Sequence, residues 1–242
     1  MAIKPLTYLA ELKDKNTFLR DILLVKFQLS HSMLVKLKQQ HKIKVNGNPA
    51  RTNYQVQVGD QITIELDLDL REDNQIIPEA LPLEVIYEDA DFLVINKPAG
   101  MPIHPAKRNA GGTLANAVTY YWQQSDRPNR FRPINRLDKD TSGLVLVGNS
   151  QYAHQSMVKQ LNQRRLERCY LALVEGEVKP AYGRIDQPIA RAGDAGRKRM
   201  ADPNGQKAIT DYWVLRTYPG LTLLGLKLAT GRTPQIRVHL KY

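Results

Sequence analysis

Charge in this chain is sorted into blocks. Residues 12–59 carry nine Lys and Arg against two Asp, and residues 60–91 carry eleven Asp and Glu against a single Arg. Residues 92–242 return to twenty-four Lys and Arg against ten Asp and Glu. Solubility needs no such sorting. It implies two basic modules joined by an acidic connector, the alternative being charge runs on solvated faces. A chain of 242 residues is long enough for two domains with sizeable cores. An apolar fraction of 42% excludes a disordered or collagen-like chain. The one cysteine, Cys169, excludes a disulfide framework or a thiolate metal cage and fits a reducing compartment. No apolar run approaches the ~18 residues of a membrane span, and the N-terminus lacks a signal-peptide apolar region. The expectation is a soluble, cytoplasmic protein with no membrane partner. A net charge of +11 makes a polyanion the first partner to consider.

In the first basic block, Phe18, Ile22 and Val25 recur at helical spacing beside Leu19 and Leu23, after a possible Asn16 or Thr17 cap. Ser30 or Ser32 can cap a second helix whose apolar side is Met33, Leu34 and Leu37. KIKVNG then alternates, with Ile43 and Val45 on one face and Lys42 and Lys44 on the other, and Asn46-Gly47 signals a tight turn. A further alternation runs through Val56, Val58, Ile62, Ile64 and Leu66. Two short helices and small strands would thus gather Arg20, Lys36, Lys38, Lys42, Lys44 and Arg51. Such cations can grip phosphates without reading bases.

The acidic connector contains Asp67-Leu68-Asp69, a spacing open to a two-carboxylate metal site but better read as the end of a strand entering a linker with Pro78 and Pro82. Beyond it, Asp91–Ile95 reads as a buried strand, followed by a sharp turn at Lys97-Pro98-Ala99-Gly100. Asp138 lies between Arg136 and Lys139, ahead of Thr141-Ser142-Gly143 and a buried strand over Leu144–Val147. Positive neighbours favour its ionised form, which a nucleophile requires. Ser150 can cap a helix with Ala153, Met157 and Leu161 on one side, and a strand follows from Cys169 to Val174. Alternation turns Cys169 away from Tyr170 and makes it a core residue. Thr233 is a candidate N-cap and Pro234 suits the first helical position, which puts Arg237 in the first turn of a helix. Arg197-Lys198-Arg199 sits in a Gly-rich loop, either a flap contacting the polyanion or a solvated loop.

The order helix–helix–Val45-Asn46-Gly47–Gly59-Asp60 resembles the small RNA-binding domain named after ribosomal protein S4, over residues 12–68. From residue 84 onward, four landmarks occur in order: INKPAGMPIHP at 95–105, RLDxxTSG at 136–143, CYLALVEG at 169–176 and TGRTPQIRVHL at 230–240. Together they resemble the Rlu-type RNA pseudouridine synthases. The resemblance implies an α+β protein: a small helix–helix–strand RNA-binding domain at 12–68, an acidic linker at 69–83, and a catalytic domain at 84–242. That catalytic domain would be a mixed, mainly antiparallel β-sheet flanked by helices. It implies isomerisation of particular uridines to pseudouridine in structured RNA after base flipping, with large-subunit ribosomal RNA as the first candidate and transfer RNA as the alternative. A binding protein on the same fold without catalysis stays open. So does a metal-dependent nuclease using Asp138 and Asp140. Asp138 occupies the position of the family's essential aspartate, Tyr170 that of a tyrosine packed on the target base, and Arg237 that of the basic residue paired with the aspartate. Ile236 takes the adjacent apolar position, and Arg136 is a candidate for holding the flipped state. The chemistry moves no atoms in or out, so no metal or cofactor is implied, and a monomer is expected. Asn135 and Pro234 stand where many relatives have His. Relatives also continue past the last motif, so the catalytic domain is expected to be truncated at its C-terminus.

Overall fold

The computed structural model describes residues 5–66, 76–106, 110–125, 129–191 and 199–241. The Asp67–Asp69 pair and the Arg197-Lys198 part of the basic loop lie outside these residues. Every strand pairing among the described residues is antiparallel. Contacts divide the chain into two units, Met1–Lys159 and Gln160–Tyr242.

The first unit opens with β1 (Leu6–Leu9), α1 (Leu19–Val25), α2 (His31–Gln39), β2 (Ile43–Val45), β3 (Asn48–Pro49) and β4 (Gln61–Ile64), the strands ordered β1-β4-β2-β3. Ile43 and Val45 are buried while the lysines between them are not, as the alternation predicts. Ser30 caps α2, its Oγ accepting the Met33 N–H at 3.2 Å. Asn46 and Gly47 both have positive φ (51° and 81°) and close the β2–β3 hairpin, the geometry that right-handed strand twist favours.

Two expectations about the faces fail here. Phe18 and Val25 are exposed, and Leu19, Ile22 and Leu23 form the buried side of α1. Its first amides are not capped by Asn16 or Thr17. Leu19 and Arg20 donate instead to the carbonyls of Tyr54 and Thr52 at 2.8 and 2.9 Å, and this docking turns Leu19 inward. Val58 is exposed because Gly59-Asp60 breaks the strand pattern before β4. β1, four residues long, carried no usable periodicity. At that same turn Asp60 accepts hydrogen bonds from the Gln57 N–H, Asn46 and Tyr54 at 2.8, 2.8 and 3.0 Å. Burial pushes its carboxyl upward, but those donors outweigh burial and hold it below the usual range.

A three-stranded sheet follows, β5 (Glu84–Glu88), β6 (Phe92–Lys97) and β7 (Gly143–Gly148) in that order, with α3 (Leu114–Gln124) packed on it through Leu114, Ala115, Val118 and Trp122. Leu93, Ile95, Val145 and Val147 are fully buried, whereas Leu144 is exposed on the outer face of β7. Residues 76–83 dock on the start of α3: Asn116 donates to the Ile77 carbonyl at 2.7 Å, and Ile76 and Leu83 pack against the core. α4 (Gln151–Asn162) is capped by Ser150, whose Oγ accepts the Ala153 N–H at 3.0 Å. Its Tyr152 packs against the N-terminal core, and Lys159 donates to Gln28 at 3.0 Å. A Cβ on Gly148 would lie 2.8 Å from the His154 backbone nitrogen, so only glycine lets α4 rest directly on the end of β7.

The second unit holds β8 (Cys169–Glu175), β9 (Tyr182–Asp186), β10 (Ile189–Arg191), β11 (Arg199–Ala201), β12 (Ile209–Tyr218), β13 (Leu221–Leu228) and α5 (Gln235–His239). Its main sheet is ordered β8-β13-β12-β9. Cys169 does alternate with Tyr170, but it is exposed and not in the core. β8 is an edge strand, and its Cys169, Leu171 and Leu173 lie on a face left open, with Leu171 71% exposed. No described helix is long and apolar enough to cross a membrane.

Candidate active site

Asp138 ends a segment that lies along the edge of β7. Ile134 donates to the Leu146 carbonyl at 2.7 Å, and Gly148 donates to the Arg132 carbonyl at 2.9 Å. Next along the chain, Asn135 uses its side-chain amide as a second peptide: Nδ2 donates to the Leu144 carbonyl at 2.9 Å, and Oδ1 accepts the Leu146 N–H at 2.8 Å. Leu137 packs into the core, Asp138 is half-buried, and its carbonyl accepts the Thr141 N–H at 3.1 Å to close the turn. Arg136, Lys139 and Asp140 are exposed around it.

Lys97, at the end of β6, is fully buried. Its ammonium donates to the carbonyls of Pro98, Met101 and Lys139 at 2.7, 2.9 and 3.0 Å. Burial lowers its pKa from the lysine range, and the fields of Asp140 and Asp138 oppose that drop. One cation therefore ties the INKPAG turn to the residue beside Asp138.

In the second unit, Tyr170 is half-buried on β8 opposite Leu226 of β13. The start of β8 is tied to the segment before α5, since Leu228 donates to the Arg168 carbonyl at 3.0 Å and the Arg168 guanidinium lies where a Cβ on Gly231 would stand. Arg237 falls in the first turn of α5, exposed, with half-buried Ile236 beside it. Thr233 does not cap this helix, and Pro234 stands at the N-cap position, one residue earlier in the helix than expected. What fixes the segment is the side chain of Gln235. Its Oε1 accepts from Thr230 Oγ1 and the Arg232 N–H at 2.8 and 3.0 Å, and its Nε2 donates to the Ile209 carbonyl and Thr210 Oγ1 at 2.9 and 3.0 Å. His239, one turn later, bridges Thr210 Oγ1 and the Gln187 carbonyl at 2.8 and 3.0 Å. Gln235, His239 and Thr210 are buried.

The N-terminal cations are spread over four places. Lys36 and Lys38 lie on α2, with Lys38 exposed. Lys42 and Lys44 converge on Glu65 at 3.7 and 2.5 Å, a pairing that draws on their charge locally. Arg20 lies over the Phe18 ring at 4.9 Å and near Asp21 at 3.6 Å, and Arg51 is exposed between β3 and β4. Among the described residues no group of three His, Cys, Asp or Glu is arranged to hold a metal ion.

Sequence reading missed Lys97, Asn135, Gln235 and His239 as site-building residues. Only the last two left a local signal, polar side chains four apart and so on one face of a helical turn.

The RNA pseudouridylate synthase family profile matches residues 91–242. A Bacillus subtilis (strain 168) protein named uncharacterized RNA pseudouridine synthase YlyB is 39% identical over 204 residues, 83% of this chain and 67% of that protein. Ribosomal large subunit pseudouridine synthase D of Pasteurella multocida (strain Pm70) is 37% identical over 214 residues, 88% of this chain and 65% of that protein. Among solved structures, human RNA pseudouridylate synthase domain containing 1 is similar with a TM-score of 0.55 at 29% identity, over 66% of this chain and 65% of that one. With a family match over more than half its length and relatives above 30% identity, this chain belongs to the RNA pseudouridine synthase family.

Proposed function

We propose that this chain isomerises particular uridines of structured RNA to pseudouridine, that its substrate is large-subunit ribosomal RNA, and that Asp138 is the essential group. The observation that carries the reading is Asp138 itself, a half-buried carboxylate on a turn braced by Lys97 and Asn135 within the RLDxxTSG landmark. The relatives named for the ribosomal large subunit support the choice of RNA.

The reaction cleaves the bond between ribose and base nitrogen, turns the base and rejoins it through carbon, so all atoms are retained. Asp138 acts as nucleophile or base. Arg237 serves as the basic partner of the aspartate, Tyr170 stacks on the uracil, and Ile236 adds apolar contact. A stacked uridine must first leave its helix, at a cost of a few kcal/mol; Arg136 holds the flipped state. Residues 12–68 serve as an S4-like RNA-binding domain through Arg20, Lys36, Lys38, Lys42, Lys44 and Arg51, residues 69–83 connect, and residues 84–242 catalyse. The protein works as a cytoplasmic monomer.

The test incubates the chain with ribosomal and transfer RNA transcripts and maps pseudouridine. Product is expected in the ribosomal RNA, and Asp138→Ala should lower its formation by roughly a thousandfold. Persistence of product in that variant removes the role of Asp138. Product confined to transfer RNA overturns the substrate, and no product from either RNA leaves a binding protein.

A further inference from the structure

Within the first unit, a cavity of about 700 Å³ opens between α2, the loop before residue 134 and the first turn of α4. Lys36 lines it from α2, Arg130 and Arg132 from the loop, and Gln151, His154 and Gln155 from α4. Among the described residues, those that line it are basic, apolar or neutral polar. We infer that this groove grips a phosphodiester stretch of the RNA substrate and sets its register against Asp138. The inference rests on the reading of the protein as an RNA-modifying enzyme and adds to it a site and a ligand chemistry.

Three features suit the groove to that ligand. First, its cations come from elements far apart in sequence, so the fold, and not a run of surface lysines, assembles the charge. Second, its walls are braced. Arg132 Nη1 donates to Asn129 Oδ1 and the Arg130 carbonyl at 3.1 and 2.9 Å, and Asn129 donates to the Asn149 carbonyl at 2.6 Å. α4 is seated on Gly148 at one end and on the N-terminal core through Tyr152. Third, the first turn of α4 brings the positive end of a helix dipole to the same space. Burial lowers the pKa of His154, Arg132 lowers it further, and the Pro133 carbonyl opposes both, so its ring enters as a neutral hydrogen-bonding group at neutral pH.

Position gives the groove its use. Arg132 begins the segment pinned along β7 that ends at Asp138. Six residues of extended chain span at most about 20 Å, the length of a few nucleotides. A phosphate held at this loop therefore lies within that span of the carboxylate. Phosphate contacts of this kind fix register and leave sequence choice to base contacts.

The test uses the full chain and a fluorescently labelled RNA hairpin, with dissociation constants measured across a salt series. Gln155→Glu puts an anion on the α4 side of the groove, at a half-buried helix position that tolerates a carboxylate but sets it against a phosphate. Binding should weaken about tenfold with the unfolding midpoint unchanged. Lys36→Gln should lower the slope of log affinity against log salt by about one. Lys13→Gln, which removes a cation that does not line the groove, should change neither. The ring signals of His154 should move on adding the hairpin. Inorganic phosphate alone separates the sources: if it moves those signals and the hairpin does not, the groove holds a free anion and the inference fails. It fails also if folded Gln155→Glu and Lys36→Gln bind RNA with the wild-type constant and slope. Pseudouridine mapping separates the two readings. Product from the wild type with normal binding by both variants overturns the groove alone. Weakened binding with no product anywhere keeps the groove and overturns the enzymatic reading.

Discussion

The loop carrying Asp138 and the short helix carrying Arg237 face the same difficulty and meet it by opposite means. Neither is regular structure long enough to hold its own shape; α5 has five residues and the Asp138 segment is a turn. The loop is held by a buried ammonium that donates to three carbonyls. The helix is held by an amide, two hydroxyls and an imidazole. The contrast follows from what each segment leaves unpaired. Around the INKPAG turn only carbonyls converge, and a lysine alone offers three donors from one atom. Under α5 both an N–H and carbonyls need partners, and a glutamine amide supplies acceptor and donor together. A buried cation near a carboxylate also adds to the local field. The glutamine amide adds shape without charge.

Removing the ammonium should have the larger effect. Lys97→Met keeps the volume but orphans three interior carbonyls, and the first unit should lose about 3 kcal/mol. Urea unfolding of the purified variant measures this. Loss of pseudouridine formation should accompany it even where the variant is folded, because the carbonyl of Lys139 adjoins Asp138. A loss below about 1 kcal/mol would mean that packing, and not the ammonium, holds the loop.

The glutamine network should be weaker but still visible. Gln235→Leu strips partners from Thr230, the Arg232 N–H and the Ile209 carbonyl, and about 2 kcal/mol of the second unit's stability should go with them. Hydrogen exchange of the amides around α5 should rise in this variant and stay unchanged in Lys97→Met. If both variants loosen α5 equally, the two anchoring devices are not separate.

What could be read from the sequence tracks how local each cause is. Ser30 capping α2, the Asn46-Gly47 hairpin and the alternation of Ile43 and Val45 depend on neighbours within four residues, and all are found. The helix containing Arg237 was legible too, although its N-terminus is built differently. The inward face of α1 was not, because carbonyls of Thr52 and Tyr54 decide it from thirty residues away. Cys169 was misjudged because period two says which residues share a face but not which face is covered. α3 escaped notice, although Thr113 and Asn116 form a reciprocal cap that the spacing could have suggested. Lys97 reads as a surface residue in any sequence scan. Its role exists only once Pro98, Met101 and Lys139 point their carbonyls at one spot.

Asn135 offers the finest cut through the comparison, because it sits in the charged loop yet works as Gln235 does, with one amide serving both a donor and an acceptor of the backbone. Asn135→Ala should cost about 1 kcal/mol, less than Gln235→Leu, since its partners lie on the edge of β7 where water can replace the lost bonds. Asn135→Asp retains the acceptor for the Leu146 N–H but turns a repelling oxygen toward the Leu144 carbonyl. It should therefore be no better than alanine above the carboxylate's titration range and recover as the side chain takes up a proton in acid. Unfolding midpoints of the two variants between pH 4 and pH 7 measure this. Asp equal to wild type at pH 7 would mean that only the acceptor half of the amide matters.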